Sequence, residues 1–228
     1  MLLRIPAVLT EQQLASMRAA LGADDAPWVD GRVTAGHQGI QVKQNQQIEE
    51  NTDLGRAQGA VILAALERDA LFVSATLPHR VYPPMFNRHG EGMHFGNHVD
   101  GAIRRIPGSD RKMRTDLSAT LFLVPPESYD GGELIIRTHA GSESFKLPAG
   151  DLIVYPSTAP HRVTPVTRGC RIASFFWIQS LVRDEGRRGL LFELDGTIQH
   201  LTARGADTDG LVALAGHYHN LLRLWSEP

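Results

Sequence analysis

A chain of 228 residues, 42% hydrophobic and 21% charged, is long enough for one full-sized core and has the make-up of a globular protein, not of a disordered or fibrous one. A formal net charge of -2 with scattered Lys and Arg gives no electrostatic footprint for nucleic acid. One cysteine, Cys170, allows no intrachain disulfide, and neither the short apolar N-terminus nor any other run reaches the ~20 residues of a membrane helix, so a cytoplasmic protein with no membrane or nucleic-acid partner is expected.

Thr10 is placed to cap a helix on which Leu14, Met17, Ala20 and Leu21 recur at helical spacing and which Gly22 ends. Residues 24–46 read as turn-rich and polar, anchored by Trp28. A second helix is expected over 51–69, with Leu54, Val61, Ile62, Ala65 and Leu66 on one side. From about 71 short apolar runs alternate with Gly, Pro, Asn and Asp. Leu71-Phe72-Val73 and Arg80-Val81-Tyr82 are two of them. Strands are expected over 118–124, 133–137, 144–147, 151–155 and 171–178, with turns at 130–132 and 148–150. Closely spaced short strands point to a sandwich or barrel. Residues 184–203 and 209–225 look helical, and their leucines need cover from the barrel or from another subunit, so a homo-oligomer through this tail is expected. The division is N-terminal helices packing on the core (1–70), a β core (71–182) and a C-terminal helical extension (183–228).

The segment Phe95-Gly96-Asn97-His98-Val99-Asp100-Gly101 carries chemistry. In extended backbone, residues two apart share a face, so His98 and Asp100 can aim at one point. Imidazole with carboxylate suits iron(II) or a neighbouring divalent metal, and a facial triad needs a third ligand. His161, after the turn-like stretch 155–160, supplies one. Ten residues on, Arg171 begins an apolar strand. A buried arginine needs an anion, and a guanidinium pairs bidentately with carboxylate. A metal flanked by such a cation can hold a keto-acid dianion.

Blander readings apply elsewhere. His94 and His98 are four apart, but Gly96 and Asn97 oppose a helix and no zincin glutamate is adjacent. Gly90, Gly92 and Gly96 open no βαβ unit and are expected to shape a mobile loop over the site. His217 and His219 would diverge on a helix. Cys170 has no base partner. The basic stretch 101–114, with Arg104, Arg105, Arg111, Lys112 and Arg114, reads as a solvated loop or as a lure for an anionic substrate.

Several segments together resemble a family. They are Phe86-Asn87-Arg88, 95–100, Arg114-Thr115-Asp116-Leu117-Ser118, 129–134, 147–151, 160–166, 171–180 and Tyr218-His219-Asn220-Leu221-Leu222. Over nearly its whole length the chain is similar to the iron(II)/2-oxoglutarate oxygenases and, within them, to the bacterial PKHD-type hydroxylases. These are named for likeness to prolyl and lysyl hydroxylases and include members associated with iron uptake. The resemblance implies a mainly β fold, a double-stranded β-helix or jelly-roll core with flanking helices and a C-terminal helical tail. It implies Fe(2+) on His98, Asp100 and His161, 2-oxoglutarate on Arg171, and L-ascorbate to keep the iron reduced. The implied reaction is oxidative decarboxylation of 2-oxoglutarate coupled to hydroxylation of a small-molecule or peptide substrate. A peptidyl proline or lysine, or an iron chelator, would fit the family label. Many relatives pair the arginine with a serine two positions on. Here that position is Ala173, and Ser174 faces the other side, so Tyr82, Asn87 and Thr120 are the candidate partners for the distal carboxylate. The rival classes are a cupin-like metal enzyme and a metal- or ligand-sensing module, neither using 2-oxoglutarate.

Overall fold

The computed structural model describes residues 1–34, 36 and 39–227. At its centre two strands, Leu117–Phe122 and Arg171–Ser180, pair antiparallel from Leu117 opposite Ile178 to Phe122 opposite Ala173. Both follow the two-residue period of extended backbone. Leu117, Ala119, Leu121, Ile172, Phe176 and Ile178 join one core. Ser118, Thr120, Arg171, Phe175 and Trp177, from the alternate positions, line a cavity.

Helices cover the first face. Leu14, Met17 and Leu21 of Glu11–Leu21, Ile62 and Leu66 of Asp53–Leu66, and Phe72 of Ala70–Thr76 pack into the same core. Each such side chain contributes roughly 1.5–3 kcal/mol on burial. Thr10 caps the first helix as expected, through a reciprocal pair: Gln13 N donates to Thr10 Oγ1, and Thr10 N donates to Gln13 Oε1. The second face meets a smaller sheet, where Leu134, Ile136 and Val163 pack on Phe122, Ile153 and Tyr155.

Every ladder is antiparallel. The larger sheet runs, in spatial order, Leu3–Ile5, Leu152–Pro156, Leu117–Phe122, Arg171–Ser180, Met85–His89, Gln46–Ile48 and Trp28–Asp30, with Pro78–Val81 also on the long strand. The smaller sheet runs Gly141–Phe145, Leu134–Thr138, His161–Val163, His94–His98 and Lys43–Gln44. Two facing antiparallel sheets with helices on one side make the jelly roll that the resemblance implied.

Three expectations need correction. Within 24–46, strands Trp28–Asp30 and Lys43–Gln44 join the two sheets, and Gln46–Ile48 begins at its end. Strands of two or three residues are too short to show alternation; Ala35, His37 and Gln38 of this stretch lie outside the described residues. Leu71-Phe72-Val73 is helical. Asp69 caps Ala70–Thr76 by accepting from Phe72 N at 2.8 Å, and Leu77 ends it at φ 43. The basic stretch 101–114 is a hairpin, with Ile103–Arg105 against Lys112–Arg114.

The helices Glu185–Ala203 and Thr208–Trp225 form the tail. Leu191, Tyr218, Leu221, Leu222 and Trp225 dock on Leu77 and Val182. Buried Arg188 pins the entry by donating to Val182 O at 2.8 Å. The outer helix keeps Val212 and Leu224 exposed. Among the described residues no helix is long and apolar enough to cross a membrane.

Candidate metal centre

His98 closes the strand His94–His98, and Asp100 follows just beyond the ladder. Val99 between them is exposed while His98 and Asp100 are half-buried, which is the alternation the spacing predicts. His161 opens His161–Val163 directly opposite His98 in the antiparallel register. The ligand atoms of His98, Asp100 and His161 all lie within 4.8 Å of one another and could hold a metal ion. Bonds of about 2 Å to a shared cation require such convergence.

Each ligand is held by a second partner. Nδ1 of His98 donates to Gly96 O at 2.8 Å, and Nδ1 of His161 donates to Ala159 O at 3.0 Å. Those bonds leave both Nε2 lone pairs for a metal. Phe95 stacks on His98 with centroids 3.6 Å apart, and Tyr155 meets His161 edge-on at 5.0 Å. Burial, then the neighbouring His161, pushes the His98 pKa down to about 4, so the ring is neutral near pH 7. Ser118 donates to Asp100 Oδ2 at 2.6 Å and is itself in contact with Ser157 Oγ at 2.8 Å.

Arg171 starts the long strand and is 1% exposed. Among the described residues no carboxylate lies within 4.0 Å of it. Nη1 reaches Asn87 Oδ1 at 3.4 Å, the guanidinium sits 5.3 Å from the Phe122 ring centroid, and Nε has no partner. The Tyr129 hydroxyl, beside this guanidinium, also lacks a well-formed bond. Gly132, at φ +67, makes the room: a Cβ there would stand 3.2 Å from Arg171 Cδ and 3.0 Å from the Tyr129 ring. A cavity of about 570 Å³ takes in the metal cluster, Arg171, Asn87, Thr120 and Tyr155. An orphaned buried cation beside a His-Asp-His cluster fits a dicarboxylic keto acid bound to a metal.

Of the candidate partners for the distal carboxylate, Asn87 touches Arg171 and Thr120 lines the cavity next to Tyr155. Tyr82 packs edge-on against Trp177, six positions along the strand from Arg171, and does not line the cavity. Ser174 donates to Met85 O at 2.9 Å, away from Arg171. Gly96 lies in a strand, not in a mobile loop: its missing Cβ admits Val42, which that atom would meet at 2.8 Å. His94 opens its strand half-buried and does not line the cavity, and His217 and His219 sit on the tail. Ser118, Tyr129, Tyr155 and Lys43 were not singled out from the sequence. The period of the 118–124 strand and the segment Arg114–Ser118 are the signals that point to Ser118.

A family model described as the 2OG-Fe(II) oxygenase superfamily matches residues 84–179, the stretch holding all four residues. A second, the PKHD-type hydroxylase C-terminal domain, matches residues 185–227. The PKHD-type hydroxylase of Burkholderia ambifaria is 59% identical over 227 residues, covering 100% of each chain. Among solved structures, a Pseudomonas putida prolyl-4-hydroxylase aligns with TM-score 0.53 at 21% identity, over 78% of this chain and 92% of that one. A prolyl hydroxylase from Trichoplax adhaerens, solved with a hypoxia inducible factor oxygen degradation domain peptide fragment, gives 0.55 at 14%, over 83% and 86%. These two likenesses are likenesses of fold.

Proposed function

The chain belongs to the PKHD-type hydroxylases of the 2OG-Fe(II) oxygenase superfamily, and from that premise we propose that His98, Asp100 and His161 hold its iron and Arg171 its 2-oxoglutarate. The protein is a 2-oxoglutarate-dependent dioxygenase. When bound, iron and 2-oxoglutarate supply the oxidising chemistry, in which decarboxylation of the keto acid is coupled to hydroxylation of a second substrate. The residues of this chain bind, orient and exclude water. Two imidazoles and one carboxylate would hold a divalent ion and leave it a residual positive charge to meet an anionic keto acid. Ser118 fixes the carboxylate by donating to it, and the Gly96 and Ala159 carbonyls fix the ring tautomers. Arg171 takes the far carboxylate of the keto acid, with Asn87, Thr120 and the Tyr129 and Tyr155 hydroxyls as neighbouring polar groups. Phe95, Phe175 and Trp177 give the cavity apolar walls.

The observation that carries this reading is Arg171: fully buried, without an acidic partner among the described residues, in one cavity with the metal cluster. The test is succinate release from 2-oxoglutarate with added iron(II) and ascorbate, the latter expected to keep the iron reduced. Wild-type protein should release succinate, and Asp100→Ala should not. A cupin-like enzyme or sensing module would release none, and Arg171→Ala would leave its ligand affinity unchanged. The second substrate is a small molecule or a peptide. A lone cysteine suits a cytoplasmic location. The exposed Val212 and Leu224 of the tail suit a homo-oligomeric contact.

A further inference from the structure

The cavity carries more positive charge than the proposed cofactors consume. Among the described residues Asp100 is the one carboxylate lining it, against Lys43, Arg104, Arg105 and Arg171. Arg105 is paired with Asp110 at the exposed rim. Lys43 and Arg104 meet no carboxylate within 4.0 Å among the described residues. Ala35, His37, Gln38 and Pro228, outside that description, bring no acidic side chain. A divalent metal with Asp100 keeps one positive charge, and Arg171 adds another. The 2-oxoglutarate dianion cancels both. Lys43 and Arg104 are left with no carboxylate paired to them, Asp30 and Glu50 acting only from a distance, and buried charge is costly unless an anion meets it.

Lys43 is buried and Arg104 half-buried. Lys43 is 6% exposed. Its Nζ donates to Thr34 Oγ1 at 3.2 Å and lies 5.1 Å from the centroid of Phe95, the ring that stacks on His98. One of three ammonium donors is therefore used. The Arg104 guanidinium lies 3.6 Å over the Trp177 ring, and its Nε is buried without a partner. Trp177 shares its strand face with Arg171. Stacking holds the guanidinium flat and leaves its donors for a ligand. Burial, then the charge of Arg104, brings the Lys43 pKa down to about 8.

We infer that the second substrate carries an oxyanion, a carboxylate or a phosphate, and that Lys43 and Arg104 hold it beside the metal. This rests on the reading that iron and 2-oxoglutarate occupy the centre formed by His98, Asp100, His161 and Arg171. The oxyanion anchors the substrate, so the carbon that is oxidised lies within one small molecule's reach of it.

Calorimetric titration of the protein loaded with manganese(II), with and without 2-oxoglutarate, tests the inference using benzoate, phenylphosphonate and neutral benzamide. At least one acid should bind, about tenfold or more tighter than benzamide, and the stronger of the two identifies the oxyanion. Lys43→Met and Arg104→Gln should each weaken that acid about tenfold or more, while 2-oxoglutarate affinity stays within about twofold. Lys43→Arg should retain the acid. Equal binding of benzamide, no binding of either acid, or unchanged acid affinity in both variants would overturn the inference. So would loss of 2-oxoglutarate in these variants with its retention in Arg171→Met, because the pair would then seat the keto acid. If wild-type protein bound no 2-oxoglutarate at all, the functional reading would fail, and the titration without keto acid would still decide for or against the oxyanion seat.

Discussion

At the metal end of the cavity the side chains sit on or just beyond strands of the two large sheets, and each ligand has a second partner fixing it. Gly96 O, Ala159 O and Ser118 Oγ hold the three ligands at 2.6–3.0 Å. On the other flank, Lys43 stands on a two-residue edge strand and Arg104 on a small hairpin outside both sheets. One end is rigid and satisfied apart from Arg171; the other is built on short elements and keeps its cations open. Rigid elements give the precision that metal chemistry needs, and peripheral ones can vary with the substrate without disturbing it.

The largest expected effect is at the rigid end. Asp100→Ala should reduce succinate release to the level without enzyme, with the fold intact by circular dichroism. Retained turnover would mean that the metal does not rest on this carboxylate. Next is Arg171→Met. It should weaken 2-oxoglutarate on the order of a hundredfold, and the apoprotein should lose no thermal stability, because an uncompensated buried charge is removed. A large fall in melting temperature would show that Arg171 holds the fold together instead. Ser118→Ala removes only the partner of a ligand and should weaken metal affinity by roughly 10–100-fold, read by chelator competition.

The smallest effect concerns the open flank. Lys43 titrates at about 8 in the folded protein, below its usual 10.5. Between those values the unfolded chain holds a proton that the folded chain has released. Folding stability of the wild type should therefore rise with pH across that window relative to Lys43→Met, and oxyanion binding should fade as pH climbs past about 8. Parallel stability curves for the two proteins would contradict the burial of this ammonium.

The same contrast explains what could be read from the residues alone. Leu117–Phe122, Leu152–Pro156 and Arg171–Ser180 are long enough to display apolar runs, whereas His98, Asp100 and His161 were legible from residue type and spacing, His98 and Asp100 two apart and His161 just after Leu152–Pro156. Arg171 stood out because it begins an apolar strand. Lys43 gave no signal, since a two-residue strand has no period and the lysine lies among polar neighbours. Arg104 was visible only as one of five cations in 101–114, and nothing local says that it, and not Arg105, turns onto Trp177. Tyr129 and Tyr155 come to the site through packing between the sheets, which is non-local. Leu71-Phe72-Val73 carries no periodicity of its own, because three apolar residues fit strand and helix alike, and the Asp69 cap decides for the helix Ala70–Thr76.

The most direct measurement is a crystal structure of the protein with manganese(II) and 2-oxoglutarate. The metal should lie about 2–2.3 Å from His98 Nε2, His161 Nε2 and a carboxylate oxygen of Asp100, with the far carboxylate of the keto acid on Arg171. A metal bound elsewhere, or a keto acid whose far carboxylate rests on Lys43 and Arg104 while Arg171 stays unpaired, would contradict it.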